Sequence, residues 1–326
     1  MLLLTEDDVR AAIDGPEAVR AVRDGFVALA RGEAVSPPNF DLALPDRNGE
    51  LHVKGGYLTG REHFAVKLAT GFYDNPGRGL SASGGMSIAL SSVTGEIVAL
   101  VADRGLLTEL RTAAAGALAA DLLARERVER VAVVGAGGQA RHQLRALLGV
   151  RTPTEVVVAA RRAEAAVAYA EEMTASLGVS VRAVADVAEA VRGADVIVTT
   201  TPARSPVLRA DWVRAGAHVT AVGSDMPDKH ELDPSLLARA DRLVVDSLDA
   251  AARSGELHHA LDAGLLARDD VHAELGEVAA GLRPGRTGPD EVTVCDLTGL
   301  GVQDVAITSL LVRRAASLGL GQRLDV

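Results

Sequence analysis

The sequence predicts an α/β chain, in which a doubly wound parallel sheet over the middle and later part joins an α+β domain built from the first part and the last helix. Three observations predict it. From residue 130 onward, short apolar runs alternate with helical patterns, the mark of parallel strands linked by crossover helices. Between 51 and 101 the apolar runs instead follow one another through Gly, Asn or Pro turns, the texture of paired strands. The apolar residues, 48% of 326, are chiefly Ala, Val and Leu with aromatics at only 2%, which suits buried parallel strands on Ala-rich helices.

Taken in order, residues 5–32 read as two short helices, the second carrying Val19, Val22, Phe26 and Leu29 at helical spacing. Pro37 and Pro38 break the pattern. LHVKGGYL, HFAVKLATGF, GGMSIALSS and EIVALVAD then read as strands, with the Thr94-Gly95 pair as a hairpin signal before the last. Residues 105–125 form a long Ala/Leu helix. The alternating part gives strands at 130–134, 154–159, 179–184, 194–200, 217–222 and 242–246. Helices fall at 138–149, 163–177 and 186–192, with a turn near 209–215. An apolar helix at 302–318 follows the Gly-rich DLTGLGVQD and is expected to return to the first domain. The expected division is 1–122 with 301–326, and 123–300.

A net charge of −10, from 34 basic and 44 acidic residues, argues against a nucleic-acid-binding surface but leaves room for a small basic pocket. One cysteine, Cys295, excludes an intramolecular disulfide and any metal site built from several cysteines. His258 and His259 are adjacent, so on a helix they point about 100° apart and do not make a metal pair. No metal is expected. Glu6, Asp7 and Asp8 directly follow the first apolar residues, unlike a signal peptide, and no apolar run reaches the length of a membrane span. The expectation is a cytoplasmic protein with neither membrane nor nucleic acid as a partner.

The sharpest motif is VAVVGAGGQA, at 131–140. An apolar strand runs into Gly135-Ala136-Gly137-Gly138-Gln139-Ala140. Gly135 allows a tight turn, Gly137 lets the backbone approach a pyrophosphate, and Ala140 stands where helix meets strand. The helix start offers free N–H groups and a positive dipole end to phosphates. Strand, loop, helix and second strand arrive in the order a Rossmann dinucleotide fold needs. The second strand ends at Ala160, Arg161 and Arg162 in place of the acidic residue that would hold the ribose hydroxyls of NAD. Guanidinium groups suit a 2′-phosphate, so NADP is expected ahead of NAD.

With these residues in view, the chain resembles the ornithine cyclodeaminase/mu-crystallin family over nearly its full length. The matching stretches are VKLATGFYDNP (66–76), LLTELRTAAAGALAADLLAR (106–125), VAVVGAGGQA, ADVIVTTTPA (194–203), HVTAVGSDMPDKHELDP (218–234), GELHHALDAG (255–264) and DLTGLGVQD (296–304). The resemblance implies a substrate and dimerisation domain plus a Rossmann domain, in a homodimer acting on a small imino or amino acid. It implies that Lys67 faces the substrate, that Arg111 binds its carboxylate through a planar fork, and that Asp225 is the catalytic acid/base. Lys229, at helical spacing from Asp225, would be its partner or a cofactor contact. Thr200 and Thr201 would lie beside the ribose or nicotinamide, Ser83 at a cofactor contact, and Thr298 and Gly299 in the segment that closes over the nicotinamide. Asp304 is expected to cap or orient the last helix.

One departure stands out. Where the family often has an arginine after a proline, this chain has Asn39. Lys54, in LHVKGGYL, is a different cation, and the KGGY pattern looks more like the imino-acid reductase branch, including iminosuccinate and hydroxyectoine-pathway enzymes. Alternation puts His52 and Lys54 on one face of their strand. The leading expectation is an NAD(P)H-dependent reductase of a small α-imino acid, reversible as an amino-acid dehydrogenase. The rivals are an ornithine-type cyclodeaminase with recycled NAD and a non-catalytic binding protein of the mu-crystallin type.

Overall fold

The computed structural model describes residues 1–325. They divide into two compact units, residues 1–111 with the chain from 300 onward, and residues 112–299. The first boundary lies within the long Ala/Leu helix, so Arg111 counts with the first unit.

In the first unit, β1 (Leu2–Thr5) leads into α1 (Glu6–Ala12) through a reciprocal cap, with Thr5 accepting from the Asp8 N–H and Asp8 from the Thr5 N–H. Asp14 caps α2 (Gly15–Ala30), whose Gly25 lets the helix approach the C-terminal helix (Gly301–Leu318) at Val302. Short edge strands β2 (Ala34–Val35) and β3 (Phe40–Leu44) both pair with β4 (Gly49–Leu58). Next come β5 (His63–Phe72), β6 (Ser83–Ser91) and β7 (Ile97–Ala102), each antiparallel to its predecessor. The turn into β7 carries Gly95 at φ +76°, as the Thr-Gly signal requires. β1 adds to β7 in parallel, a final strand at Gln322–Arg323 pairs with β1, and the sheet has eight strands. The C-terminal helix packs on β4, β5 and β6, so the last helix does return to the first unit.

The second unit begins within α3 (Leu106–Leu123). Its sheet runs through β8 (Arg130–Val134), β9 (Glu155–Ala159), β10 (Val181–Ala183), β11 (Val196–Thr199), β13 (His218–Ala221), β15 (Arg242–Val245), β16 (Ala273–Glu274) and β17 (Thr293–Asp296), all parallel. A separate parallel pair joins β12 (Arg204–Leu208) to β14 (His230–Leu232). The connecting helices are α4 (Gly138–Leu148), α5 (Ala163–Leu177), α6 (Val187–Val191), α7 (Pro234–Ala238), α8 (Leu248–Ser254), α9 (Glu256–Asp262) and α10 (Leu275–Ala279). The strand order is β10-β9-β8-β11-β13-β17-β15-β16. It reverses direction between β8 and β11, and open α/β sheets bind ligands outside the carboxyl ends of the strands at such a point. The core strands are buried on both faces, which explains their unbroken apolar runs.

Candidate active site

The first unit gathers charge on one face of its sheet. Along β4, Glu50, His52 and Lys54 alternate with less buried neighbours and are themselves only 8%, 5% and 4% exposed. The register sets Lys54 opposite Lys67 and Lys67 opposite Ser87; His52 faces Ala69, and Glu50 faces Gly71. Ala69 and Gly71, with Gly85 and Ser83 across on β6, form a floor of small residues, and the Glu50 carboxylate and Tyr73 hydroxyl pack over Gly71.

Arg111 reaches this cluster from α3. Asp103 accepts from the N–H groups of Gly105 and Leu107 and so fixes the start of that helix. Arg111 donates through Nε to Asp304 Oδ1 at 2.9 Å and through an η nitrogen to Gln303 Oε1 at 3.0 Å. Asp304 Oδ2 lies 3.7 Å from Lys67 Nζ. One buried carboxylate thus faces both cations, which offsets part of the cost of burying them. Of the two roles expected of Asp304, to orient the last helix or to cap it, the second is corrected. Gln303 does that, accepting from the Leu300 N–H, while Asp304 is one position further in and turns to the cations.

At the other end of the same strand, His52 Nδ1 is 2.6 Å from Asp41 Oδ1, and its Nε2 is 3.3 Å from Glu50 Oε1. Tyr73 donates its hydroxyl to the same Glu50 oxygen at 2.6 Å. Ser83 is exposed and its N–H bonds Ser81 Oγ, so turn chemistry accounts for its visible contact.

In the second unit, Gly135 turns at φ +112°, and a Cβ there would stand 2.6 Å from Thr200 Oγ1. A Cβ at Gly137 would meet nothing within 4 Å, and α4 begins at Gly138 with no side chain capping it. Arg141, not anticipated from the sequence, donates to the carbonyls of Ala136 and Gly137. The loop carbonyls are engaged by Arg141, while the helix start and the open space over Gly137 stay available, and those features fit a pyrophosphate. Gln139 accepts from Gln143, and the Ala140 carbonyl accepts from buried Tyr169. Arg161 and Arg162 are exposed at the start of α5, Arg162 as its N-cap.

Thr200 lies just past β11 and donates to the Val134 carbonyl. Thr201 donates through both N–H and hydroxyl to Glu231, at 2.5 and 2.8 Å. Glu231 also accepts from Thr199 Oγ1 and the Gly223 N–H, both at 2.8 Å, so one fully buried carboxylate ties the loop after β11 to the loop after β13. Burial pushes its pKa up, against the pull of these donors. Asp225 sits on that second loop, with Lys229 Nζ 2.5 Å from its Oδ1. This i,i+4 pair does not lie on a helix: residues 225–229 form a turn in which the Lys229 N–H bonds the Met226 carbonyl. Ser224 and His259 both bond the Lys229 carbonyl, and His259 stacks on His230, so that histidine serves as a brace. Thr298 and Gly299 donate to Asp246 at 3.0 and 2.6 Å, which fixes the segment where the unit ends.

Fold and loop together define a nucleotide-binding α/β unit and, in the other unit, an α+β fold with a buried cationic cluster. The model of the ornithine cyclodeaminase/mu-crystallin family matches residues 1–318, and the chain belongs to that family. It is 47% identical over 327 residues to the uncharacterised cyclodeaminase y4tK of Sinorhizobium fredii, covering all of this chain and 99% of that one. Among solved structures, the Δ1-pyrroline-2-carboxylate reductase of Thermococcus litoralis, in complex with NADH and L-proline, superposes with a TM-score of 0.96 at 31% identity, covering 99% of this chain and all of that one. An archaeal alanine dehydrogenase dimer with bound NAD gives 0.93 at 37%, covering all of this chain and 99% of that one. No helix among the described residues is long and apolar enough to cross a membrane.

Proposed function

We propose that the protein is an NAD(P)H-dependent reductase of a small α-imino acid, reversible as an amino-acid dehydrogenase. The observation that carries this reading is the buried Lys67–Asp304–Arg111 cluster with Lys54 beside it on the same sheet face. A cationic surround this deeply buried suits a substrate carboxylate, and Arg111 supplies a planar donor set for it.

Gly135, Gly137, Gly138, Gln139 and Ala140 would hold the pyrophosphate, with Thr200, Thr201, Thr298, Gly299 and Ser83 toward the rest of the cofactor. The bound nicotinamide supplies or accepts a hydride. Lys67 and Arg111 orient the carboxylate, and Lys54 adds a cation for a second polar group. Asp225, held by Lys229, exchanges the single proton that accompanies each hydride at the substrate nitrogen. Arg161 and Arg162, exposed after β9, favour the 2′-phosphate of NADP, whereas the two solved relatives carry NADH and NAD. Exposed Val35, Phe40 and Leu42 on the edge strands β2 and β3 support a homodimer formed through the first unit, in line with the dimeric alanine dehydrogenase.

The cyclodeaminase relative keeps a second reading open, in which ornithine loses ammonia with no net change of cofactor. One assay separates the two. Absorbance of the reduced nicotinamide is followed with NADH and with NADPH, against cyclic imino acids and against α-oxo acids plus ammonia. Net cofactor consumption is the expected result. Ammonia release from ornithine at constant absorbance would replace this reading with the other.

A further inference from the structure

Reduction of an imine takes one hydride and one proton, and a single acid–base group at nitrogen suffices for it. The first unit holds a second acid–base arrangement that this step leaves unused. His52, buried on the substrate-side face of β4, is fixed at Nδ1 by Asp41 at 2.6 Å, and its Nε2 faces Glu50 at 3.3 Å. Glu50 is held in turn by the Tyr73 hydroxyl at 2.6 Å. The Asp41 side chain is 32% exposed while that of His52 is 6% exposed, so the chain of groups leads from solvent to the floor. A carboxylate on Nδ1 sets the tautomer of the ring and aims Nε2, the proton-transfer end, along the side of Glu50. His52 stands two positions from Lys54 on the same face, opposite the small side chain of Ala69, while Glu50 and the Tyr73 hydroxyl fill the space over Gly71.

We propose that His52 is a second proton-transfer residue of this protein, acting on the interconversion of α-oxo acid and imine, with Asp41 and Glu50 as its positioning residues. The inference rests on the imino-acid reductase reading. Ammonia adds to the oxo carbon to give a carbinolamine. His52 then gives a proton to the carbinolamine hydroxyl, the C–O bond breaks, and water leaves as the nitrogen lone pair forms the C=N bond. The nitrogen then returns a proton to His52, restoring its protonated form. No electrons are transferred, and the same steps reversed hydrolyse the imine when an amino acid is oxidised.

The test compares two substrates in one assay of NAD(P)H consumption, with the full-length protein. A preformed cyclic imino acid needs only the reduction, whereas an α-oxo acid with ammonia needs the dehydration as well. For His52→Asn, the kcat ratio of the oxo-acid reaction to the cyclic-imine reaction should fall about 100-fold from the wild-type ratio, the scale of one lost acid–base group. Asp41→Asn changes only a half-exposed carboxylate and keeps the test alive if His52→Asn does not fold; it should lower the ratio about tenfold. Parallel losses on both substrates, or an unchanged ratio, would overturn the proposal and leave His52 a static ion-pair partner. Wild-type protein that reduces the cyclic imine but never the oxo acid with ammonia also overturns it, while the reductase reading survives. Wild-type protein that consumes cofactor with neither substrate removes that reading and this inference together.

Discussion

Glu231 concentrates four hydrogen bonds on two oxygens that see no solvent. Two of the donors are backbone N–H groups, of Thr201 and Gly223, and neither can be satisfied by an amide nitrogen. Glu231→Gln therefore strands a buried donor, at a cost of about 1–3 kcal/mol. Because those donors sit on the loops after β11 and β13, the loss should appear as a roughly tenfold weaker cofactor dissociation constant, read by titrating fluorescence of the reduced nicotinamide. Unchanged affinity and turnover would show that the loops hold their shape without Glu231. Nothing in the sequence singles out this residue, since Glu231 is one of three acids in MPDKHELDP. The glycine loop was legible because its chemistry is local: strand, turn and helix follow one another within a few residues. Lys67, Arg111 and Asp225 came from the resemblance. The ion pair of Asp304 is hidden from the sequence because its partner Arg111 lies 193 positions away, and the Asp41–His52 pair needs the register of β3 on β4, which alternation alone does not give.

At the scale of elements, the point where the C-terminal helix meets β4 admits no side chain. A Cβ at Gly301 would lie 1.8 Å from the Gly55 carbonyl oxygen, a backbone atom that no rotamer change can move. Gly301→Ala should thus cost about 3 kcal/mol or more as helix and strand separate, and shift Asp304 relative to Arg111. Chemical denaturation with activity measured alongside checks it, and a variant of wild-type stability would mean the contact relaxes freely. The long elements were readable to within a residue or two wherever a period persisted, as in β8, α4, β9 and α5. The short ones were not. β14, with His230 and Glu231 in three residues, and β12, with a proline at its centre, carry no apolar run to mark them. β17 follows a Gly/Pro-rich stretch and inserts between β13 and β15, a placement decided by packing of the whole sheet.

The whole molecule answers to pH through the second unit. Glu256 accepts from the N–H groups of Glu231 and Leu232, yet burial, with the charges of Asp296 and Glu231 added, pushes its pKa up to about 9. Asp296 is raised to about 7, also chiefly by burial. Folded chains therefore keep protons that unfolded chains lose near pH 4.5 and 3.8, and stability falls as the pH rises toward the folded values. His218 acts in the opposite sense but in another window. Burial lowers it to about 3, so its penalty grows only below its ordinary 6.5. Cys295, raised well above 9, adds its own loss only at higher pH. Between pH 7 and 9, Glu256 is then the chief of these groups still titrating differently in the two states, with a slope of up to about 1.4 kcal/mol per pH unit. The one tryptophan, Trp212, is half-buried against the core of this same unit, so its fluorescence follows the unfolding that matters. The denaturation midpoint it reports should drop steadily from pH 7 to pH 9 and level off beyond, until the thiol contributes. Glu256→Gln cannot ionise, and its midpoint should fall less steeply across that window than the wild type's even if its absolute stability is lower, the remaining slope belonging to groups such as Glu231 that burial also raises. An equal slope in the variant would assign the pH dependence to other groups and mean that Glu256 is already ionised in the folded protein at neutral pH.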